Sequence, residues 1–68
     1  MTFNFDFIKQ NSTLVYELLC RSTRCTFNEL QKSCNLSNTD LCLALANLLR
    51  DNRIKQNRDA EEIYYVCA

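Results

Sequence analysis

The sequence contains no glycine, no proline and no histidine. The absence of glycine excludes the glycine-rich loops that bind phosphate groups, and the absence of histidine removes the commonest general base and a frequent zinc ligand. The five cysteines form no Cys-x-x-Cys pair, so the usual zinc-binding spacings are missing as well. We therefore expect a protein that is not an enzyme and that uses no metal or other cofactor.

An excess of one charge and a long hydrophobic run are also missing. The eight basic and eight acidic side chains give a net charge of zero, so any affinity for nucleic acid must come from local clustering. No apolar run approaches the roughly 18 residues that a membrane span requires. Residues 1–6 contain no basic side chain before an apolar stretch. We expect no membrane span, no secretory signal and a cytoplasmic location.

The cysteines are odd in number and fall mostly on positions typical of a core. Arg21 and Arg24 adjoin Cys20 and Cys25 in the sequence, and basic neighbours can favour a reactive thiolate. Burial of apolar cysteines beside solvated arginines explains the same pattern more simply. The sequence therefore predicts reduced and buried thiols.

Two helix-start signals follow one another in the middle of the chain. Thr26 and Ser37 each precede an acidic residue three positions later, Glu29 and Asp40, as in a capping box. Such a pair of signals predicts a helix-turn-helix. Because glycine is absent, Asn35 is the best residue for the left-handed turn between the two helices.

Apolar periodicity predicts three helices. Residues 11–13 can cap the first helix, although Ile8 is also in phase with it and the helix can begin there. The second helix begins at Phe27, after a short link at residues 24–26 that can pair as a one-bridge strand. The third helix runs from about Asn38 to Asp51. Its inward arc consists of Leu41, Ala44, Leu45, Leu48 and Leu49.

Residues 53–56 and 63–67 are typical of strands, and the second is rich in aromatic and β-branched side chains. The polar loop at residues 57–62 joins them, which predicts a β-hairpin. The order of elements indicates an α+β fold, a winged helix-turn-helix with a three-helix core followed by a C-terminal β-hairpin wing. One domain accounts for residues 1–68.

The first seven residues have a different pattern. Phe3, Phe5 and Phe7 alternate with polar residues as they would in a strand. Residues 1–7 are therefore expected to form an edge strand, a contact for self-association or a flexible segment.

Four segments of the chain carry a family resemblance: FNEL at 27–30, LSNTDL at 36–41, LAL at 43–45 and LLRDNRI at 48–54. They resemble small stand-alone bacterial winged helix-turn-helix proteins of unknown function, over a region from about residue 8 to the end. The resemblance implies the winged-helix fold. Members of the wider superfamily commonly bind DNA, as transcriptional regulators for example, while others use the same scaffold to bind proteins.

One hypothesis is that the third helix and the wing bind double-stranded DNA. Asparagine and arginine suit the edges of adenine and guanine, and cations beside the groove neutralise phosphates. The candidates are Asn47 and Arg50 for base edges, Asn38 and Thr39 for phosphates at the start of the third helix, and Arg53, Lys55 and Arg58 for the backbone beside the wing. The acidic residues of the hairpin loop would oppose this contact.

The alternative hypothesis is a protein-interaction module without DNA binding. Leu43 and Ala46 lie on the outward side of the third helix, and an exposed apolar patch on a small domain usually marks a contact. Tyr64 and Tyr65 alternate faces of the last strand, so one packs in the core while the other, taken as Tyr64, is available to a partner. This surface would bind a protein partner or a second copy of the chain.

Overall fold

The computed structural model describes residues 5–68, which form three helices and a three-stranded antiparallel sheet. The elements in chain order are α1 (Phe5–Arg21), β1 (Cys25–Thr26), α2 (Phe27–Cys34), α3 (Asn38–Arg50), β2 (Ile54–Arg58) and β3 (Ile63–Cys67). This arrangement confirms the predicted α+β winged helix-turn-helix. In this part of the chain no helix combines the length and the hydrophobicity needed to cross a membrane.

Helix α1 includes Phe5 and therefore extends well before the two predicted starting points. The predicted cap at residues 11–13 is wrong because the hydroxyls of Ser12 and Thr13 form hydrogen bonds within the helix. Ser12 donates to the Ile8 carbonyl at 2.6 Å and Thr13 donates to the Lys9 carbonyl at 3.0 Å. A hydroxyl that donates to the carbonyl four residues back has a hydrogen-bond partner inside the helix and does not mark a helix terminus.

The predicted edge strand at the start of the chain is wrong for Phe5 and Phe7, which belong to α1. These two residues are 53% and 62% exposed, so neither packs in the core. Alternation over so few residues does not fix a strand when no neighbouring strand is in reach to pair with it. Phe3 lies outside the described residues.

The helix-turn-helix forms around the predicted caps. At Thr26 the capping box is reciprocal, because Glu29 N–H donates to Thr26 Oγ1 at 3.3 Å and Thr26 N–H donates to Glu29 Oε1 at 3.0 Å. At Ser37 the hydroxyl accepts from Asp40 N–H at 3.1 Å. Asn35 ends α2 in the left-handed conformation, with φ 54°, as expected. The entry and exit of α2 are thus fixed by local hydrogen bonds.

Replacing Glu29 by glutamine is expected to make stability less sensitive to acid. The backbone N–H of Thr26 is the main cause that lowers the pKa of Glu29 below its ordinary value. A lowered pKa stabilises the fold above the unfolded-state value of about 4.3, and this contribution is lost as pH falls through the folded-state value. Thermal unfolding between about pH 6 and 3 should therefore show a smaller decline for the variant than for the wild type.

Glu17→Gln provides the control, because it removes the same charge from an exposed position on α1. Parallel stability profiles for wild type and Glu29→Gln would show that the capping carboxylate does not contribute to acid sensitivity.

The sheet has the order β1-β3-β2, with the long hairpin β2–β3 as the wing. The two-residue β1 pairs with β3, which confirms the predicted pairing of the short link. Strand β2 extends to Arg58, so the predicted loop over residues 57–62 is too long by two residues. Asp59 explains the shorter turn, because its Oδ1 accepts the N–H groups of Glu61 at 3.0 Å and Glu62 at 2.8 Å.

The core lies between the three helices and the inner face of the sheet. Four of the five residues predicted for the inward arc of α3 are fully buried, and the fifth, Leu49, is half-buried and packs against them. The buried apolar residues are Val15, Leu19, Cys25, Leu30, Leu41, Ala44, Leu45, Leu48, Ile54 and Tyr65. Because this core holds α3 along one side only, the opposite side of α3 faces solvent.

Candidate nucleic-acid interface

The outward side of α3 is the surface that a helix-turn-helix presents to a DNA groove. Its residues follow from the helical period, since they lie opposite the buried arc. They are Thr39, Cys42, Leu43, Ala46 and Arg50, of which Leu43 is half-buried and the others are exposed. We call these five residues the outward face. Only Thr39 and Arg50 have side chains that form strong hydrogen bonds, so the face offers little for reading base edges.

Asn47, predicted to point away from the core, is instead half-buried against α1. Its Nδ2 donates to Ser12 Oγ at 3.0 Å, and its Oδ1 accepts from Arg50 Nη2 at 2.6 Å. Ser12 is 4% exposed and needs these partners, because a buried hydroxyl without hydrogen bonds destabilises the fold. The structure therefore places Asn47 in a polar contact between α1 and α3 and not on the outward face.

Replacing Asn47 by alanine is expected to lower the free energy of unfolding by about 1 kcal/mol, because Ser12 loses its donor. Urea denaturation of Asn47→Ala, Ser12→Ala and the double variant gives the coupling between the two side chains. We expect the second substitution to cost clearly less when the first is present. Additive losses would show that the two residues stabilise the fold independently.

Arg50 and Arg53 belong to one polar groove at the end of α3. Arg50 contacts Asn47 and also Asp51, whose Oδ1 lies 3.3 Å from its Nε. The groove has a volume of about 250 Å³, and Lys9 of α1 supplies a third cation to its wall. The sequence prediction missed Lys9, since nothing local connects residue 9 with residues 50–53.

The Arg53 guanidinium lies over the Tyr16 ring, 4.2 Å from its centroid. This cation–π contact directs Arg53 towards α1, although the sequence grouped it with the cations of the wing. Arg53 remains exposed. Its charge therefore lies at the α1 side of the domain.

Lys55 and Arg58 are exposed on opposite faces of the hairpin. Arg58 shares the alternation of Ile54 and Tyr65, whereas Lys55 shares that of Tyr64. The first face lies towards the helices, because Ile54 and Tyr65 are buried there. Burial and the nearby Cys42 of α3 both raise the pKa of Tyr65, which agrees with this placement. The cations that the sequence grouped beside the wing, Arg53, Lys55 and Arg58, thus do not form one continuous basic patch.

The turn of the wing carries three exposed acids, Asp59, Glu61 and Glu62. The N–H groups of Glu61 and Glu62 lower the pKa of Asp59, with a further contribution from Arg24. The Arg24 guanidinium lies 3.8 Å from Asp59 Oδ2 and 4.5 Å from the centroid of the Tyr64 ring. Arg24 therefore neutralises part of the acidic turn.

Tyr64 is half-buried and does not belong to the surface formed by Leu43 and Ala46. It points to the face of the sheet opposite Tyr65, and Tyr65 is the tyrosine that packs towards α3. The predicted protein-binding residues consequently lie on two surfaces. Leu43 and Ala46 remain together on the outward face.

The start of α3 offers donors for a phosphate. Thr39 is exposed, and the first N–H groups of a helix have no acceptor within the helix. The Oδ1 of Asn38 accepts from the Gln31 amide, so this side chain is partly engaged. Asp40 is half-buried, with its N–H bound to Ser37. Both Asn38 and Thr39 lie where the prediction placed them.

The thiols differ from the prediction in their exposure. Cys25 is buried and Cys34 and Cys67 are half-buried, but Cys20 and Cys42 are exposed. Cys20 and Cys42 are out of phase with the buried residues of their helices, because Leu19 and Leu41, one position earlier, face the core. Within residues 5–68 no group of three or more histidine, cysteine or acidic side chains could hold a metal ion.

Comparison with known proteins identifies the family of this fold. Residues 5–67, nearly the whole chain, match the family described as "Winged helix-turn-helix domain (DUF2582)". No curated protein and no solved structure matches the chain significantly. The extent of the match and the observed order of helices and wing agree, so the chain belongs to this family of winged helix-turn-helix domains of unknown function.

Proposed function

We propose that this domain binds double-stranded DNA, with α3 in the major groove and the β2–β3 hairpin beside the sugar-phosphate backbone. The observation that carries the proposal is the presentation of α3. Its inner side is fixed in the core, while Thr39, Ala46 and Arg50 are exposed along its length. A second helix held in this way is the element that helix-turn-helix proteins insert into DNA.

The charge distribution supports contacts to phosphates more than to bases. Residues 38–58, from α3 to the end of β2, contain four basic and two acidic side chains, so this region is positive in a neutral protein. Lys55 and Arg58 form no ion pair within residues 5–68, and each lies on its own face of the hairpin. Each can therefore neutralise a phosphate on a different side of the wing.

Arg50 is the base-reading candidate on the outward face. It can bind the edge of guanine, although it must first leave Asn47 or Asp51. The apolar residues between Thr39 and Arg50 give little discrimination, and we expect weak sequence preference. We assign the protein a binding role, as a small transcriptional regulator or accessory subunit in the bacterial cytoplasm, without enzymatic activity or a cofactor.

An amide chemical-shift titration of ¹⁵N-labelled protein with a mixed-sequence DNA duplex tests the proposal. At low salt we expect shifts at Thr39, Arg50, Lys55 and Arg58, and at physiological salt these shifts should weaken because phosphate contacts release counterions. The amides of α2 away from the turn serve as an internal control. An absence of shifts at low salt would reject DNA binding.

A second candidate function is binding of a protein or of a second copy through the outward face. The supporting observation is that Cys42, Leu43 and Ala46 form its apolar centre. The same labelled protein distinguishes this function from DNA binding. Shifts at Leu43 and Ala46 that depend on protein concentration in the absence of DNA would support self-association.

A further inference from the structure

Two of the five cysteines are in direct contact. Cys20 lies next to the last residue of α1, and Cys67 is the last residue of β3. Their Sγ atoms are 2.7 Å apart, although 47 positions separate them in the chain. A disulfide requires about 2.0 Å, so a small movement brings these sulfurs to bonding distance.

Both cysteines lie on elements that the core holds in place. Leu19, adjacent to Cys20, is fully buried, and Cys67 pairs across the hairpin with the buried Ile54. The Ala68 N–H donates to the Arg53 carbonyl at 3.0 Å, which fixes the backbone directly after Cys67. The contact between the sulfurs is therefore a property of the folded domain.

We propose that Cys20 and Cys67 form a reversible intramolecular disulfide when a peroxide is the oxidant, and that this bond ties α1 to the wing. The exposed Cys20 is the sulfur that peroxide reaches first. Its thiolate attacks one peroxide oxygen, the O–O bond breaks, and Cys20 becomes a sulfenic acid while the other oxygen leaves as water after taking a proton.

The second step joins the sulfurs. The Cys67 thiolate attacks the Cys20 sulfur, the S–O bond breaks, and hydroxide leaves and takes up the proton released by Cys67 to form water. Overall, two thiols and one hydrogen peroxide give one disulfide and two waters. The two thiols are oxidised by two electrons, which reduce the peroxide.

Tyr16 and Arg53 surround this pair. The Arg53 guanidinium is stacked on the Tyr16 ring, and both Arg53 and Tyr16 favour the thiolate of Cys20 and so act to lower its pKa. The hydrogen bond between Cys20 and Cys67 is the larger effect, and with burial it raises the pKa of Cys20. A raised pKa leaves less of Cys20 in the reactive thiolate form.

Cys42 provides a matched control. It is exposed like Cys20, but within residues 5–68 no other thiol lies at hydrogen-bonding distance from it. Geometry, rather than exposure alone, thus selects Cys20 and Cys67 for an intramolecular bond.

The experiment treats fully reduced protein with hydrogen peroxide, alkylates the remaining thiols and digests the protein with trypsin. Cleavage after basic residues puts Cys20 in peptide 10–21 and Cys67 in peptide 59–68. We expect three of the five thiols to be alkylated and these two peptides to be linked. Five alkylated thiols, a link between other peptides or Cys20 sulfinic acid without a link would each overturn the proposal.

Thermal unfolding supplies a second readout. The bond closes a long loop, so oxidation should raise Tm by roughly 10 °C or more, and dithiothreitol should reverse the change. Cys42→Ser should keep both the link and the rise, whereas Cys67→Ser should lose both. An equal rise in oxidised Cys67→Ser would also overturn the assignment. The peptide map of the wild-type protein decides the question even if Cys67→Ser folds poorly.

Discussion

Replacing Leu48 by alanine is expected to lower the free energy of unfolding by about 2 to 5 kcal/mol. Leu48 is 1% exposed and lies in the inward arc of α3, where the helices and the sheet meet. The substitution removes apolar contacts and leaves a cavity that the rigid neighbours fill only in part. A chain of 68 residues has a total stability of roughly 3 to 10 kcal/mol, so the variant should lose a large part of its stability.

Leu49→Ala is the matched control for this prediction. Leu49 is the next residue of the same helix, but it is half-buried and keeps part of its side chain in water. Both changes have the same effect on helix propensity, so the difference between them reports burial. Urea denaturation followed by circular dichroism should show a clearly smaller loss for Leu49→Ala. Equal losses would contradict the described orientation of α3.

The predictions that held for the fold depended on local chemistry. The cap at Thr26, the left-handed Asn35 and the inward arc of α3 each follow from interactions between residues a few positions apart. Such interactions involve only residues that are close in the chain, so they can be predicted without knowing how the helices and strands pack. The start of α1 was wrong because the hydroxyls of Ser12 and Thr13 can either accept a backbone N–H as a helix cap or donate to the carbonyl four residues back. Helix propensity does not decide between these two roles.

The site was harder to predict because its contacts are long-range. The helical period of α3 alone places Asn47 on the outward side, because it takes no account of α1. The partner of Asn47 on α1, Ser12, lies 35 residues earlier in the chain. Ser12 itself occupies a core position between Ile8 and Val15, which is the signal that a polar partner was needed. For the contact of Arg53 with Tyr16 no comparable signal exists, since it depends on how α1 packs against the strands.

Replacing both Lys55 and Arg58 by glutamine is expected to produce the largest change in DNA affinity. If each cation neutralises one phosphate, the slope of log K against log salt concentration should become shallower by about 2. At low salt the affinity for a mixed-sequence duplex should fall by up to roughly thirtyfold, since two exposed ionic contacts contribute up to about 1 kcal/mol each. Fluorescence anisotropy of a labelled duplex at several salt concentrations measures both quantities.

The control replaces Arg21 and Lys32 by glutamine, which removes one arginine and one lysine from exposed positions on α1 and α2. Net charge changes equally in both variants, so a purely long-range attraction would weaken both to the same degree. If Lys55 and Arg58 contact phosphates directly, the control variant should keep the wild-type slope of log K against log salt concentration. If the two variants behaved alike, the charge of the whole domain would explain the binding, and the apolar centre of the outward face would become the better candidate for a specific contact.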